Sequence, residues 1–233
     1  FYTFNFSYGW LIIVSIYELS NTNEQITARF TKVFEQTYTR FLDLQKAEAQ
    51  AREAQIEAAL ERVRARALAM HESKDMADAS GLLFKELRSF EIHPFTCGYE
   101  FIDQIAGVVN GWIVSPDGNI IRNFFSYPLN GDPVGVRRYE SWKRKELFLK
   151  DVVSGKANRD HGKFMSRHFN ESFRKDIVLK FPEEVVFYTF NFSYGWLIIV
   201  STNELSNTNE QIIARFTKVF EQTYTRLKKK KKA

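Results

Sequence analysis

Ala47-Glu48-Ala49-Gln50-Ala51-Arg52-Glu53-Ala54 lies in the middle of a stretch, Glu24 to Glu72, that has neither glycine nor proline. Alanine, glutamate, glutamine and arginine are strong helix formers, so the stretch reads as one long helix. A helix of that length spans roughly 70 Å at 1.5 Å per residue, and in water it needs something to pack against. A seam is present. Leu42, Ala49, Ile56, Val63 and Met70 recur every seven residues, with Leu60 and Ala67 at the interleaved position. That spacing predicts a parallel two-helix coiled coil, a dimer of this chain. Phe30, Phe34, Thr37, Phe41 and Leu44 follow a second phase upstream, and the alanine-rich middle is where the two phases meet. A helix lying on a globular core accounts for Phe30 to Leu44 as well. It accounts less well for the Ala/Glu/Arg run, which offers little apolar surface to one-sided burial.

Internal repetition is the next strongest signal. Residues 1–40 and 187–226 match at 37 of 40 positions and differ only at Ile16/Thr202, Tyr17/Asn203 and Thr27/Ile213. The chain is therefore expected to hold one whole module preceded by the tail of another. The expected boundaries are a hairpin at 1–23, a long helix at 24–72, a folded domain at 73–226 and a lysine-rich tail at 227–233.

Within the repeat, Tyr2, Phe4, Phe6 and Tyr8 alternate with polar residues, which marks a half-buried strand. Trp10-Leu11-Ile12-Ile13-Val14 is an unbroken apolar run suited to a strand buried on both faces. With a turn at Tyr8-Gly9 they form an antiparallel hairpin. Ser20 to Asn23 offer caps for the long helix, and Ser73 for a second helix whose Met76, Leu83, Leu87 and Phe90 face a core. Strands follow at 95–101, 108–114 and 120–127, then a helix opened by Pro133 and a short strand at Leu147-Phe148-Leu149. Residues 154–180 read as short helices over one mouth of the sheet. The hairpin then recurs at 185–201, ahead of an exit helix at 209–226. This order predicts an α+β domain, a central antiparallel sheet flanked by helices and preceded by a long coiled-coil helix.

The linker Phe34-Glu35-Gln36-Thr37-Tyr38-Thr39-Arg40-Phe41-Leu42-Asp43-Leu44-Gln45-Lys46-Ala47, continuing through Ala58-Ala59-Leu60-Glu61-Arg62-Val63-Arg64-Ala65-Arg66, and the element order after it, resemble those of GAF-like sensory modules. Such modules occur in tandem in multidomain bacterial signalling proteins, including histidine kinases and nucleotide cyclases. The resemblance covers about residues 24–226. It implies a cytoplasmic, dimeric, non-catalytic input or relay module whose long helix carries a signal between domains. It also implies a small-ligand site between the sheet and its covering loop-helix layer. Tyr99, Trp112, Phe125, Tyr127, Trp142, Tyr188 and Phe190 are the aromatic candidates expected to converge there, or else to fill the core. The near-identity of the repeats supports a different role, a structural unit assembling into a filament or array.

Composition narrows the partners. Five of the 33 Lys+Arg are Lys228–Lys232, and the rest equal the 28 Asp+Glu, so the net charge of +5 gives no argument for nucleic acid. The longest apolar runs are far too short to span a membrane. No charged segment precedes an apolar core near the N-terminus, so no signal peptide is expected. His71 with Glu72 superficially resembles a phosphoacceptor, but no proline follows. His161 and His168 lie seven apart without further ligands, so no metal is expected, and no cofactor. Cys97, the single cysteine, falls on the apolar phase of a strand. Arg137, Arg138, Lys143 and Arg144 share one helix and read as a solvated face or as an anion site. No nucleophile–base pair stands out, and the chain reads as no enzyme. The hairpin at 1–15 has no body of its own, which predicts docking onto a neighbouring chain, head to tail.

Overall fold

In a computed structural model the described residues are 1–70, 74–120, 124–169, 174 and 181–230. They form two compact units, Phe1–Glu57 and Ala58–Ala233. A single helix, α1 (Asn21–Leu68), contributes to both. His71, and the cap expected at Ser73, lie outside the described residues.

The first unit is a hairpin folded onto a helix. Strands β1 (Tyr2–Phe6) and β2 (Gly9–Ile13) pair antiparallel, Tyr2 opposite Ile13 and Phe6 opposite Gly9. Ser7-Tyr8 makes the turn, one residue earlier than the sequence suggests. The sheet is clasped to α1 by aromatic edges, Phe6 to Phe34 at 5.4 Å and Tyr8 to Tyr38 at 5.3 Å between ring centres. Polar contacts complete the clasp. Ser7 donates its backbone N–H to Glu35 at 2.7 Å and its hydroxyl to the same carboxylate. The Leu19 N–H donates to the Tyr2 hydroxyl at 2.8 Å. Ser20 caps the helix by accepting from the Asn23 N–H.

The second unit is built on a six-stranded antiparallel sheet, ordered β5-β4-β3-β8-β7-β6. Its strands are β3 (Thr96–Asp103), β4 (Val108–Ile113), β5 (Phe125–Pro128), β6 (Phe148–Ser154), β7 (Glu184–Phe192) and β8 (Gly195–Ser201). The α+β expectation holds. Helices α2 (Lys74–Ser89) and α5 (Asn207–Lys230) cover one face, α2 over β3 and β4 and α5 over β7. Helices α3 (Pro133–Lys143) and α4 (Gly155–Ser166) pack over β6 and β7 on the other face. Helix α5 continues through Lys230, so the basic tail expected from residue 227 begins as helix. Strand β6 is longer than the three-residue strand expected. The strand expected from Ile120 appears as β5, with Ile120 itself bridged to Val114.

The final turns of α1 are tied to α2. Arg62 makes a two-pronged contact to Glu86, both distances 2.7 Å, and Arg66 reaches Asp78 at 2.8 Å. Glu86 is buried, which makes this a charge-assisted pair of the stronger kind. Leu60, Val63, Ala67 and Met70 are buried in a single chain. That part of the heptad stripe is thus already buried within one chain. Upstream, Ile56 is also buried, Leu42 is half-buried and Ala49 is exposed.

Candidate functional site

Strand alternation decides which residues meet between the sheet and the α3–α4 layer. From β3 they are Thr96 and Glu100, from β8 Trp196, Ile198 and Val200, from β7 Phe187, and from β4 and β5 Ile113 and Phe125. With Met165, Phe169 and Phe181 most of these enclose a cavity of about 340 Å³. Its walls are largely apolar, with Arg159, Lys163 and Glu183 also lining it, and one pole is built from buried polar groups.

Arg138 forms that pole. Helix α3 begins at Pro133, and its Asp132 cap accepts from the Val134 and Gly135 N–H groups at 3.3 and 3.0 Å. This start sets the phase so that Val134, Arg138 and Ser141 face inward. Arg138 is only 2% exposed. Its guanidinium lies over the Phe187 ring at 4.4 Å, 4.0 Å from the Glu100 carboxylate and 3.3 Å from His161 Nε2. Its Nε has no hydrogen-bond partner, and neither does Asn158 Oδ1, whose own NH₂ donates to the Pro182 and Glu183 carbonyls. Buried polar atoms are normally paired, and here two unpaired ones belong to residues that line the same cavity.

The remaining polar groups hold Arg138 in position. Glu100 accepts from the Tyr127 hydroxyl at 2.8 Å and from the Trp196 indole N–H. His161 Nδ1 lies 2.6 Å from Asp132. A guanidinium can only donate, so Nε2 accepts from it, and the neutral ring keeps its proton on Nδ1 for Asp132. Burial drives the His161 pKa below its ordinary value, against the pull of Asp132 and with help from the Arg138 charge. Burial alone would raise the Asp132 carboxyl. The His161 hydrogen bond and charge, the Gly135 amide and Arg138 together hold it below the ordinary carboxylate value. Tyr127 is pushed well above the usual phenol by burial and by the neighbouring Glu100 charge.

The aromatic candidates divide between two faces. Phe125 lines the cavity, and Tyr127 and Trp142 pack in the core on that side, Trp142 donating to the Phe192 carbonyl at 2.8 Å. Tyr99, Trp112, Tyr188 and Phe190 do not converge with them. They alternate to the opposite face, where Tyr99 stacks on Phe220 at 3.8 Å, Trp112 meets Phe101, and Tyr188 and Phe190 flank Phe148. The correction is one of parity. On β7 it is Phe187, and on β3 Glu100, that face the cavity.

Sequence reasoning missed Glu100, Asp132, Asn158 and Trp196 as site residues, and left Arg138 between a solvated face and an anion site and His161 as a metal alternative without further ligands. The spacing of Val134, Arg138 and Ser141 behind a Asp-Pro helix start was the available signal for Arg138. Arg137, its neighbour, is a surface residue paired with Asp151 at 2.8 Å. His168 packs on Phe164 and not with His161. Cys97 is buried, and burial pushes its thiol far up, away from thiolate chemistry. Among the described residues no group of three potential metal ligands occurs, and no helix is long and apolar enough to cross a membrane.

No family model matches the sequence, and no curated protein does. Solved structures similar to the chain include these two. One is the GAF domain from an Acinetobacter phosphoenolpyruvate-protein phosphotransferase, at 10% identity and a TM-score of 0.41, covering 72% of this chain and 92% of that one. The other is a GAF sensor protein from Burkholderia vietnamiensis, described as putative, at 11% identity and a TM-score of 0.41, covering 74% and 98%. The α+β architecture rests on this chain's own six-stranded sheet and the helices that cover it.

Proposed function

We propose that the second unit is a non-catalytic sensory module that binds a small ligand with an apolar body and an anionic or carbonyl oxygen, and relays occupancy through its helices. The observation that carries this is the buried Arg138 on the wall of a 340 Å³ cavity with its Nε unpartnered. Ligand pockets of this kind are mostly apolar with a few convergent polar groups. An oxygen atom placed beside Nε would give that N–H an acceptor, and aromatic or aliphatic carbon would fill the rest. The route outward begins at Glu100, which ties Arg138 to Trp196 on β8. The opposite face of the sheet carries α5, so a change in that tie reaches a terminal helix. The GAF-like resemblance of the linker agrees with a relay role. Chemistry is not part of the reading. His161 and Asp132 are committed to each other and to Arg138, and none of the lining residues is a serine or cysteine nucleophile.

The test is a thermal-shift series with benzoate, phenylacetate and hexanoate, each beside its neutral alcohol. At millimolar concentration at least one carboxylate should raise the melting temperature more than its alcohol does. Arg138→Met, which keeps an unbranched apolar stem and removes the guanidinium, should abolish the difference. If no carboxylate is preferred, or if the preference survives in Arg138→Met, the reading fails.

A further inference from the structure

Helix α4 shows the cavity two kinds of surface. Asn158, His161 and Met165 are its buried residues and form part of the wall. Arg159, Gly162 and Lys163 line the same cavity, and Arg159 and Lys163 are exposed, so they stand where it meets solvent. Side chains four apart on a helix are neighbours, and two like charges so placed repel. Nothing on α4 offsets them, because its single carboxylate, Asp160, is held by Lys156 at 2.6 Å. At this mouth Glu183 sets one negative charge against the two positive ones. Gly162 lies between them in sequence. Glycine inside a helix is unfavourable beside alanine. A Cβ at this position would come no closer to any described neighbour than 3.8 Å, from the Phe181 ring. Packing among the described residues therefore does not call for glycine here, and the bare backbone leaves room on the cavity wall.

The two ends of the cavity thus ask for different things. The pole offers one unpartnered N–H on a buried guanidinium, and the mouth offers a surplus of exposed positive charge. Between them lie Ile113, Phe187, Met165 and Ile198, which suit methylene groups and leave a hydroxylated chain without partners. Resting on the reading of this cavity as a ligand site, we infer that its ligand is a short linear diacid. One end places an oxygen beside Arg138, the middle is hydrocarbon, and the second carboxylate reaches the mouth beside Gly162, near Arg159 and Lys163. The outer contact is solvated, so it adds selectivity for a two-ended molecule more than affinity. Glu183 limits the preference to a single outer negative charge.

Calorimetric titration of the full chain with hexanol, hexanoate and adipate reads the two ends separately. In about 0.5 M salt the exposed mouth is screened, and the margin of hexanoate over hexanol reports Arg138 alone. In about 20 mM salt the margin of adipate over hexanoate reports the mouth, since adipate adds only the second carboxylate. Adipate should bind about fivefold tighter than hexanoate there, and the margin should vanish in high salt. Arg159→Gln combined with Lys163→Gln, both exposed positions, should remove the adipate margin in low salt. Gly162→Ala favours the helix, so it should raise the melting temperature of the free protein while weakening adipate. No margin of hexanoate over hexanol sinks the ligand site itself and this inference with it. A hexanoate margin without an adipate margin overturns the diacid alone. An adipate margin that survives the double glutamine variant, or adipate binding unchanged by Gly162→Ala, also overturns it, because the outer carboxylate then lies elsewhere.

Discussion

The charge balance around Arg138 at the pole of the cavity is set by what its neighbours do. His161 is the neighbour whose ordinary, unperturbed pKa lies nearest neutrality. Its folded-state pKa lies below the ordinary 6.5, which means the folded protein binds that proton less tightly than the unfolded chain does. The stability this provides is complete above about pH 6.5 and is lost as the pH falls towards the lower folded value. Protonation would put a second positive charge against Arg138 and remove the acceptor at Nε2. The melting temperature is therefore expected to fall between pH 7 and 5 more steeply in the native chain than in His161→Gln. Parallel slopes would show that Asp132 neutralises the protonated ring at no cost to Arg138. Little of this was legible beforehand. Arg137 and Arg138 look alike in sequence, and only the start of α3 at Asp132-Pro133 decides which one turns inward.

At the scale of elements, the twin helices allow a comparison that few chains offer. Phe30 and Phe216 have the same local sequence apart from Thr27/Ile213, the same clasp and the same helical propensity, but different surroundings. Phe216→Ala should cost the body about 3–5 kcal/mol, the usual toll for a buried phenylalanine. Phe30→Ala should stay within about 0.5 kcal/mol in dilute monomeric protein, as exposed positions do. Urea titrations followed by tryptophan fluorescence measure both. Equal losses would mean that the first unit is covered in solution even at low concentration. The elements themselves were largely legible, since alternation and the 3.6-residue period appear plainly at 95–101 and 74–90. The faces were harder. A sheet covered on both sides presents apolar residues at both parities, and so Tyr188 and Phe187 cannot be told apart by hydropathy. The heptad from Leu60 to Met70 was ambiguous for a related reason, because a stripe that fits a partner helix equally fits α2 of the same chain.

The molecule as a whole contains one sequence held to two standards. Gly195 and Gly9 both sit at strongly positive φ, +155° and +152°, where only glycine is at ease. Beyond that they part. A Cβ on Gly195 would fall 1.9 Å from the Glu100 carbonyl oxygen, whereas on Gly9 its nearest neighbour is the Phe6 ring at 3.8 Å. The C-terminal glycine is locked by the strand beside it, and the N-terminal one answers only to its own turn. The same asymmetry runs through Trp10 and Trp196, and through Ile12 and Ile198. Under random mutagenesis with selection for a folded body alone, substitutions should accumulate across residues 1–15 and be purged from 187–201. An equal mutational load in both copies would refute that. The body's architecture therefore does nothing to keep the two spellings alike.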